Sequence, residues 1–237
     1  MVDEVVRSID AILSMQGRES ELWQPVLERV PMDGVSISTL AMFLGTETVA
    51  ASDDIAARVD EAQFDLGEGP CWDAFRSGRP VHEPNLPEPA LNRWPALAEA
   101  MQNELVSALF AFPLTFGSLD LGAMDLYARR PGEMRAEDVE VASRLADAIA
   151  RVVIAQALAA SDEPESQIVS GQFSRRVVHQ ATGYVIAQLG LSPEDALLLI
   201  HAHAFASTRP VVEVAADIVE RRLTFGTNAG KIGTTDE

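Results

Sequence analysis

Apolar positions along this chain change period several times, and each change marks a predicted element. Within 4–30, Val5, Val6, Ile9, Ile12 and Leu13 recur every three or four residues, as do Leu22, Val26, Leu27 and Val30, which predicts one or two helices closed by Pro31. Residues 34–43 (GVSISTLAMF) alternate and are rich in strand formers, and 46–51 (TETVAA) follow a Leu44-Gly45 turn, so a hairpin is expected. A helix over 55–62 comes next. The Gly67-Glu68-Gly69-Pro70 turn then sets Pro70, whose missing N–H matters least there, at the first position of a short helix to Phe75. Residues 80–86 read as a strand, four prolines in 84–95 demand a loop, and a helix lies near 96–102. Two further strands, 105–116 and 119–127, meet across Gly117-Ser118.

From 135 to 160 the period becomes that of one long helix. Val139, Ala142, Ala146, Ile149 and Val153 form a stripe that Leu145, Val152 and Ala159 widen. A face that wide suits either burial on the helix's own sheet or additional packing on a second copy, so a homodimer through 136–160 is one expectation. After it, 161–170 is polar and reads as a linker. Three shorter helices follow. The first covers 172–189 with Val177, Val178, Ala181, Val185 and Leu189 inward; the second covers 194–206 and is apolar over much of its circumference, as a helix lying between others would be. Ser192-Pro193-Glu194-Asp195 opens it with a hydroxyl cap, a first-turn proline and acids at the positive dipole end. The third, 211–223, is amphipathic.

These elements predict an α+β chain. An antiparallel-sheet domain occupies 1–160 and includes the 136–160 linker helix; a linker at 161–170 leads to a small all-α three-helix domain at 171–226 and a flexible tail at 227–237.

Charge divides along the same boundary. The chain has a net charge of −18, and 29 acidic residues against 12 arginines fall in 1–172, whereas 173–225 balances five of each sign. An acidic body repels polyphosphates, so contact with a nucleic acid is cheapest at the neutral helical module. No apolar run approaches the roughly 20 residues of a membrane helix. The N-terminus lacks a basic stretch followed by an apolar core, so no secretory signal is read and a cytoplasmic protein is expected. The single cysteine, Cys71, excludes an intramolecular disulfide and reads as a buried small hydrophobe.

Segments 66–81 (LGEGPCWDAFRSGRPV) and 112–134 (FPLTFGSLDLGAMDLYARRPGEM) make 31–160 resemble a GAF domain, the small-molecule sensory fold. The three-helix segment 171–226 resembles the ANTAR domain, an RNA-binding module of transcription antiterminators. The resemblance implies a regulator that grips a structured RNA leader under control of a sensor whose small-molecule ligand is unknown. Where that family has Ala-Lys-Gly, this chain has Ala181-Thr182-Gly183, and Ile200-His201 stands where an arginine is common. Candidate RNA contacts are Arg175, Arg176, His179, Thr182, Gly183 and Arg209, with Thr182 expected at the surface and Gly183 at a close approach of another helix or of a ligand backbone. Tyr184 is the one aromatic of the first helix able to carry a base, and its core reading competes.

The alternative class is a protein-interaction or dimerisation regulator whose ANTAR-like module has lost RNA contact. Duplex DNA is disfavoured, because the third helix offers Glu213, Asp217 and Glu220 on its polar face. No phosphate-binding glycine loop or nucleophile motif supports an enzyme, and His201 and His203, two apart on a helix, do not converge on a metal. In the sensory part, Trp72, Trp94 and Phe75 read as core, and Glu68 and Asp73 as solvated turn acids.

Overall fold

The computed structural model describes residues 2–41, 44, 46–86, 93–162, 176–228 and 231–236. The chain divides into two compact units, Met1–Phe64 with Glu68–Phe173, and Asp65–Gly67 with Ser174–Glu237.

The first unit is α+β. Helices α1 (Val2–Leu13) and α2 (Trp23–Leu27) precede strands β1 (Gly34–Thr39) and β2 (Glu47–Ala51). Helices α3 (Asp54–Leu66) and α4 (Pro70–Ser77), strand β3 (Val81–Glu83) and helix α5 (Pro95–Ala100) follow. The long pair β4 (Ala108–Phe116) and β5 (Leu119–Ala128) then leads into α6 (Ala136–Asp162). The five strands form one antiparallel sheet in the order β2-β1-β5-β4-β3. Pro113 is tolerated in β4 because β3 pairs only with Leu109–Ala111, leaving the proline beyond the pairing on that side.

Strand alternation divides the sheet into two unlike faces. Val35, Ile37, Phe110, Phe112, Met124 and Leu126 project into a core shared with α6 and α1. α6 packs on β4 and β5, and α1 packs on α6. This explains the width of the α6 stripe: Ala142, Leu145, Ala146, Ile149, Val152 and Val153 are all buried within the unit, while Leu158 near the end is 63% exposed. The opposite face carries Ser36, Ser38, Ala111, Ala123 and Asp125 beneath α4, with Asp60 and Gln63 of α3 reaching Ser38 and Asp125. Pro70 begins α4 as expected, and Gly78, at φ 63°, ends it in the left-handed conformation.

The second unit contains α7 (Arg176–Leu189), α8 (Pro193–Ser207), α9 (Val211–Val219) and a hairpin of β6 (Leu223–Asn228) with β7 (Lys231–Asp236). Val178, Ala181, Val185, Ala196, Ile200, Ala204, Val214, Ala215 and Ile218 fill its interior. Ser192 caps α8 by accepting from the Asp195 N–H at 3.1 Å.

Two expectations for this unit are corrected. The third helix stops at Val219 rather than 223, because Arg221 takes a left-handed φ of 63° and the Arg222 N–H returns to the Asp217 carbonyl at 2.8 Å. Within 227–237, expected as a flexible tail, the described residues belong to a hairpin that pairs Asn228 with Lys231 and Leu223 with Asp236. Leu223 and Phe225 are buried, and the Phe225 N–H donates to Gln188 Oε1 at 3.0 Å, so the hairpin closes one side of the helical core. α8 packs against both α7 and α9, as its apolar circumference predicted, while Leu198 (67%) and Phe205 (69%) on its remaining side are exposed.

Candidate functional site

The faces of α7 separate cleanly. Val178, Ala181, Thr182 and Val185 point to the core, while Gln180, Gly183, Tyr184 and Ala187 lie exposed one helical turn apart. Together with Val219 of α9, these four line a shallow depression of about 440 Å³. Tyr184 is 38% exposed, which overturns its core reading. Gly183 has open space where a Cβ would stand, so no helix approaches it and its packing expectation fails. Thr182, expected to face a phosphate, is 8% exposed and donates to the Val178 carbonyl at 2.8 Å. The hydroxyl's short reach lets it satisfy itself on its own helix, where a lysine would have to extend outward.

The expected cations fare unevenly. Arg176 is the first residue of α7, one turn ahead of Gln180; Arg175 lies outside the described residues. Burial pushes the His179 imidazole below its ordinary value, favouring the uncharged ring, which brings no positive charge to a phosphate. Arg209 is engaged: it meets Asp217 at 2.7 Å and Glu213 at 3.6 Å, and Arg222 contacts the same Asp217 at 2.6 Å. The hydrogen bonds from Arg209 and then Arg222 hold the Asp217 carboxyl below its usual range. Sequence spacing on α9 placed these acids on its polar face but not the arginines that neutralise them.

The interior of the first unit holds polar chemistry that the sequence reading missed. Gln63 of α3 donates to Asp125 Oδ2 at 2.6 Å, accepts the Cys71 N–H on its Oε1 at 2.9 Å, and accepts the Trp72 indole on its backbone oxygen at 2.7 Å. Gly69 makes this possible, since a Cβ there would collide with the Gln63 side chain. Asp60 accepts from Ser38 at 2.6 Å and from Thr48. Burial first, and then the nearby Asp60 charge, raise the Asp125 carboxyl well above its ordinary value, with the Gln63 hydrogen bond opposing. The available signal was an acid within the otherwise apolar strand AMDLYA, a pattern that a half-buried strand does not require.

Glu68 and Asp73 are not merely solvated. Glu68 Oε1 accepts the Leu97 N–H at 2.9 Å in the first turn of α5, and Asp73 meets Arg93 at 3.1 Å and the Trp94 indole at 3.2 Å. Both tie α5 to the GEGP turn and its helix. Trp72 and Trp94 are buried, and Cys71 is buried, as read. Among the described residues no group of three or more His, Cys, Asp and Glu side chains is placed to hold a metal ion.

A GAF domain model matches residues 19–153, more than half of the chain. The chain belongs to the GAF domain family. An ANTAR domain model matches residues 173–219, so the GAF unit is followed by an ANTAR domain built on α7, α8 and α9. Solved structures agree on the fold. The GAF domain of a phosphoenolpyruvate-protein phosphotransferase (ptsP) from Coxiella burnetii is 16% identical, with a TM-score of 0.52 over 68% of this chain and 96% of that one. The GAF domain of the Acinetobacter phosphoenolpyruvate-protein phosphotransferase is 14% identical, with a TM-score of 0.51 over 70% of this chain and 96% of that one. No curated protein matches the chain. Among the described residues, no helix is long and apolar enough to cross a membrane.

Proposed function

We propose that this GAF–ANTAR chain is a cytoplasmic, non-catalytic regulator that binds structured RNA leaders through its ANTAR domain and so disfavours a transcription terminator. The observation that carries this reading is the exposed face of α7, where Tyr184 stands beside the bare backbone of Gly183 with Arg176 one turn ahead of Gln180. An unpaired loop base stacks on the phenol ring, the absence of a side chain at Gly183 admits its sugar, and Arg175 and Arg176 meet the phosphates. His179, Thr182 and Arg209 act behind this surface, through packing and ion pairing, rather than on the RNA. Two copies meet through the 136–160 helix, and a small-molecule effector that favours one arrangement of that helix shifts how the two ANTAR domains are presented.

The test is filter binding of a hairpin RNA to the full chain across salt concentrations. Saturable binding that weakens with salt is expected, and Arg175→Ala with Arg176→Ala is expected to lower the affinity and flatten the salt slope by roughly one to two units. Binding that is salt-insensitive, or unchanged in the double variant, removes the arginines from the mechanism.

A second reading has its own support. The exposed Leu198 and Phe205 of α8, with Arg209 already neutralised, fit a regulator that contacts protein instead of RNA. Absence of any saturable RNA binding favours it.

A further inference from the structure

One side of α6 carries charges that its own unit leaves unanswered. Glu140, Arg144, Asp147 and Arg151 are spaced by four, three and four residues, so they stand in one stripe along the helix. Arg144 is half-buried and the other three are exposed. Among the described residues, none of the four makes an ion pair or a side-chain hydrogen bond. Spacing alone does not forbid one: Arg135 and Asp138, three apart on the same helix, meet at 2.7 Å. The stripe borders α1 across a groove of about 230 Å³ lined by Ile9, Arg144, Asp147, Ala148 and Arg151. Val6 (43% exposed) and Leu13 (37% exposed) lie one turn on either side of Ile9, which makes the α1 edge of the groove apolar. Leu158 continues the stripe seven residues beyond Arg151.

The signs along this stripe, minus, plus, minus, plus, are complementary to the same series reversed. On a second copy lying antiparallel, with a twofold axis at the level of 145–146, Glu140 of one copy faces Arg151 of the other and Arg144 faces Asp147. The symmetry forms each pair twice, so every charge of the stripe is answered. A parallel copy in register sets each charge against its own kind, which opposes association. A small anion between Arg144 and Arg151 is a poorer match, because Asp147 stands between them. Exposed ion pairs contribute little each, and the apolar edge of α1 adds the burial they lack.

We infer that the α1–α6 groove and its charged stripe receive a second copy of this chain in antiparallel orientation, held by Glu140 on Arg151 and Arg144 on Asp147 across a twofold axis. The inference rests on the dimer proposed above through 136–160, and it fixes which residues meet and in which sense the two helices run. Asp162 ends α6 about 16 residues past the axis, so at a rise of 1.5 Å per residue the two C-terminal ends stand roughly 50 Å apart. The paired helices leave the contact in opposite directions rather than side by side.

Two measurements on the full chain test it. Glu140 and Arg151 are eleven residues apart, about 16 Å along one helix, so a zero-length bond joins them only between antiparallel copies. Arg151→Lys keeps the charge and supplies an amine. Carbodiimide treatment of that variant is expected to give a covalent dimer whose digest joins the peptide containing 140 to the peptide containing 151. Treated dimer without that junction overturns the antiparallel pairing. Sedimentation equilibrium is the second measurement. Glu140→Arg or Arg151→Glu alone sets like charges together at two symmetric places and is expected to weaken dimerisation at least about tenfold. Glu140→Arg combined with Arg151→Glu restores opposite signs and is expected to recover most of the loss, with circular dichroism showing that each variant is folded. Single variants as dimeric as the unmodified chain, or a double variant as weak as the singles, overturn the pairing and leave the dimer in place. An unmodified chain that sediments at 25.6 kDa at every concentration removes the 136–160 dimer itself, and this inference with it.

Discussion

Tyr184 and Asp125 show how single residues in this chain are set by their surroundings rather than by their type. Tyr184 shares a helix with fully buried Val178, Ala181 and Val185, yet is 38% exposed. Base stacking on an aromatic ring contributes about 1–3 kcal/mol per base. Tyr184→Ala is therefore expected to weaken hairpin-RNA binding by roughly five- to a hundred-fold with little change in the melting temperature, and Tyr184→Phe to retain most of it; direct titration with calorimetry checks both. For Asp125 the prediction concerns pH. Its folded carboxyl titrates well above the ordinary value, so the folded chain keeps a proton that the unfolded chain releases above about pH 4. Stability from that proton is complete below the unfolded value and is lost as pH rises through the folded one. Asp125→Asn is expected to flatten the fall in melting temperature as pH rises above the ordinary carboxylate range; parallel slopes for the two proteins would contradict this. Tyr184 was not legible from its neighbours in sequence, and for Asp125 the one signal was its position as an acid within an apolar strand. Periodicity assigns a residue to a face, and Tyr184 sits at the edge between two faces, where only the position of α9 decides. Thr182 misled for a related reason: a family position occupied by a charged side chain was read as surface, but threonine at the same Cα satisfies itself on Val178 and stays inside.

Elements were far more readable, because turn chemistry and period act locally. The Gly67–Pro70 turn, the Ser192 cap and the β4–β5 hairpin across Gly117-Ser118 all stand where the pattern put them. Ser192→Ala removes the hydroxyl that accepts the Asp195 N–H and is expected to destabilise the ANTAR domain by about 1 kcal/mol, read from chemical denaturation. The C-terminal hairpin was invisible for a physical reason. Leu223 continues the three- and four-residue spacing of α9, so periodicity carried the helix onward, while the left-handed Arg221 that turns the chain is a residue type that seldom adopts such a φ. Thr224, Phe225, Thr227, Ile232, Thr234 and Thr235 did offer strand propensity, outweighed by their terminal position. Phe225→Ala is expected to cost the ANTAR domain roughly 3 kcal/mol, since the ring is 5% exposed and meets His203 edge-on at 5.7 Å. A loss below about 0.5 kcal/mol would mean that the hairpin does not support the helices.

For the whole molecule the governing fact is charge segregation. The GAF part is strongly anionic and the ANTAR helices are balanced, so a polyanion is repelled by most of the chain and tolerated at one module. The proposed dimer belongs to the same scale. Leu158 is 63% exposed beyond the part of α6 that α1 and the sheet cover, and Leu158→Asp is expected to convert a particle of twice 25.6 kDa into one of 25.6 kDa in light scattering; unchanged mass would place any dimer contact elsewhere. The central claim is that RNA is held on the outer face of α7. Hydrogen-exchange mass spectrometry of the full chain with and without a hairpin RNA tests it most directly. Protection concentrated in peptides covering 176–189, and lost in Tyr184→Ala, is the predicted result. Protection confined to the GAF unit, or RNA bound with no change across α7, would contradict it.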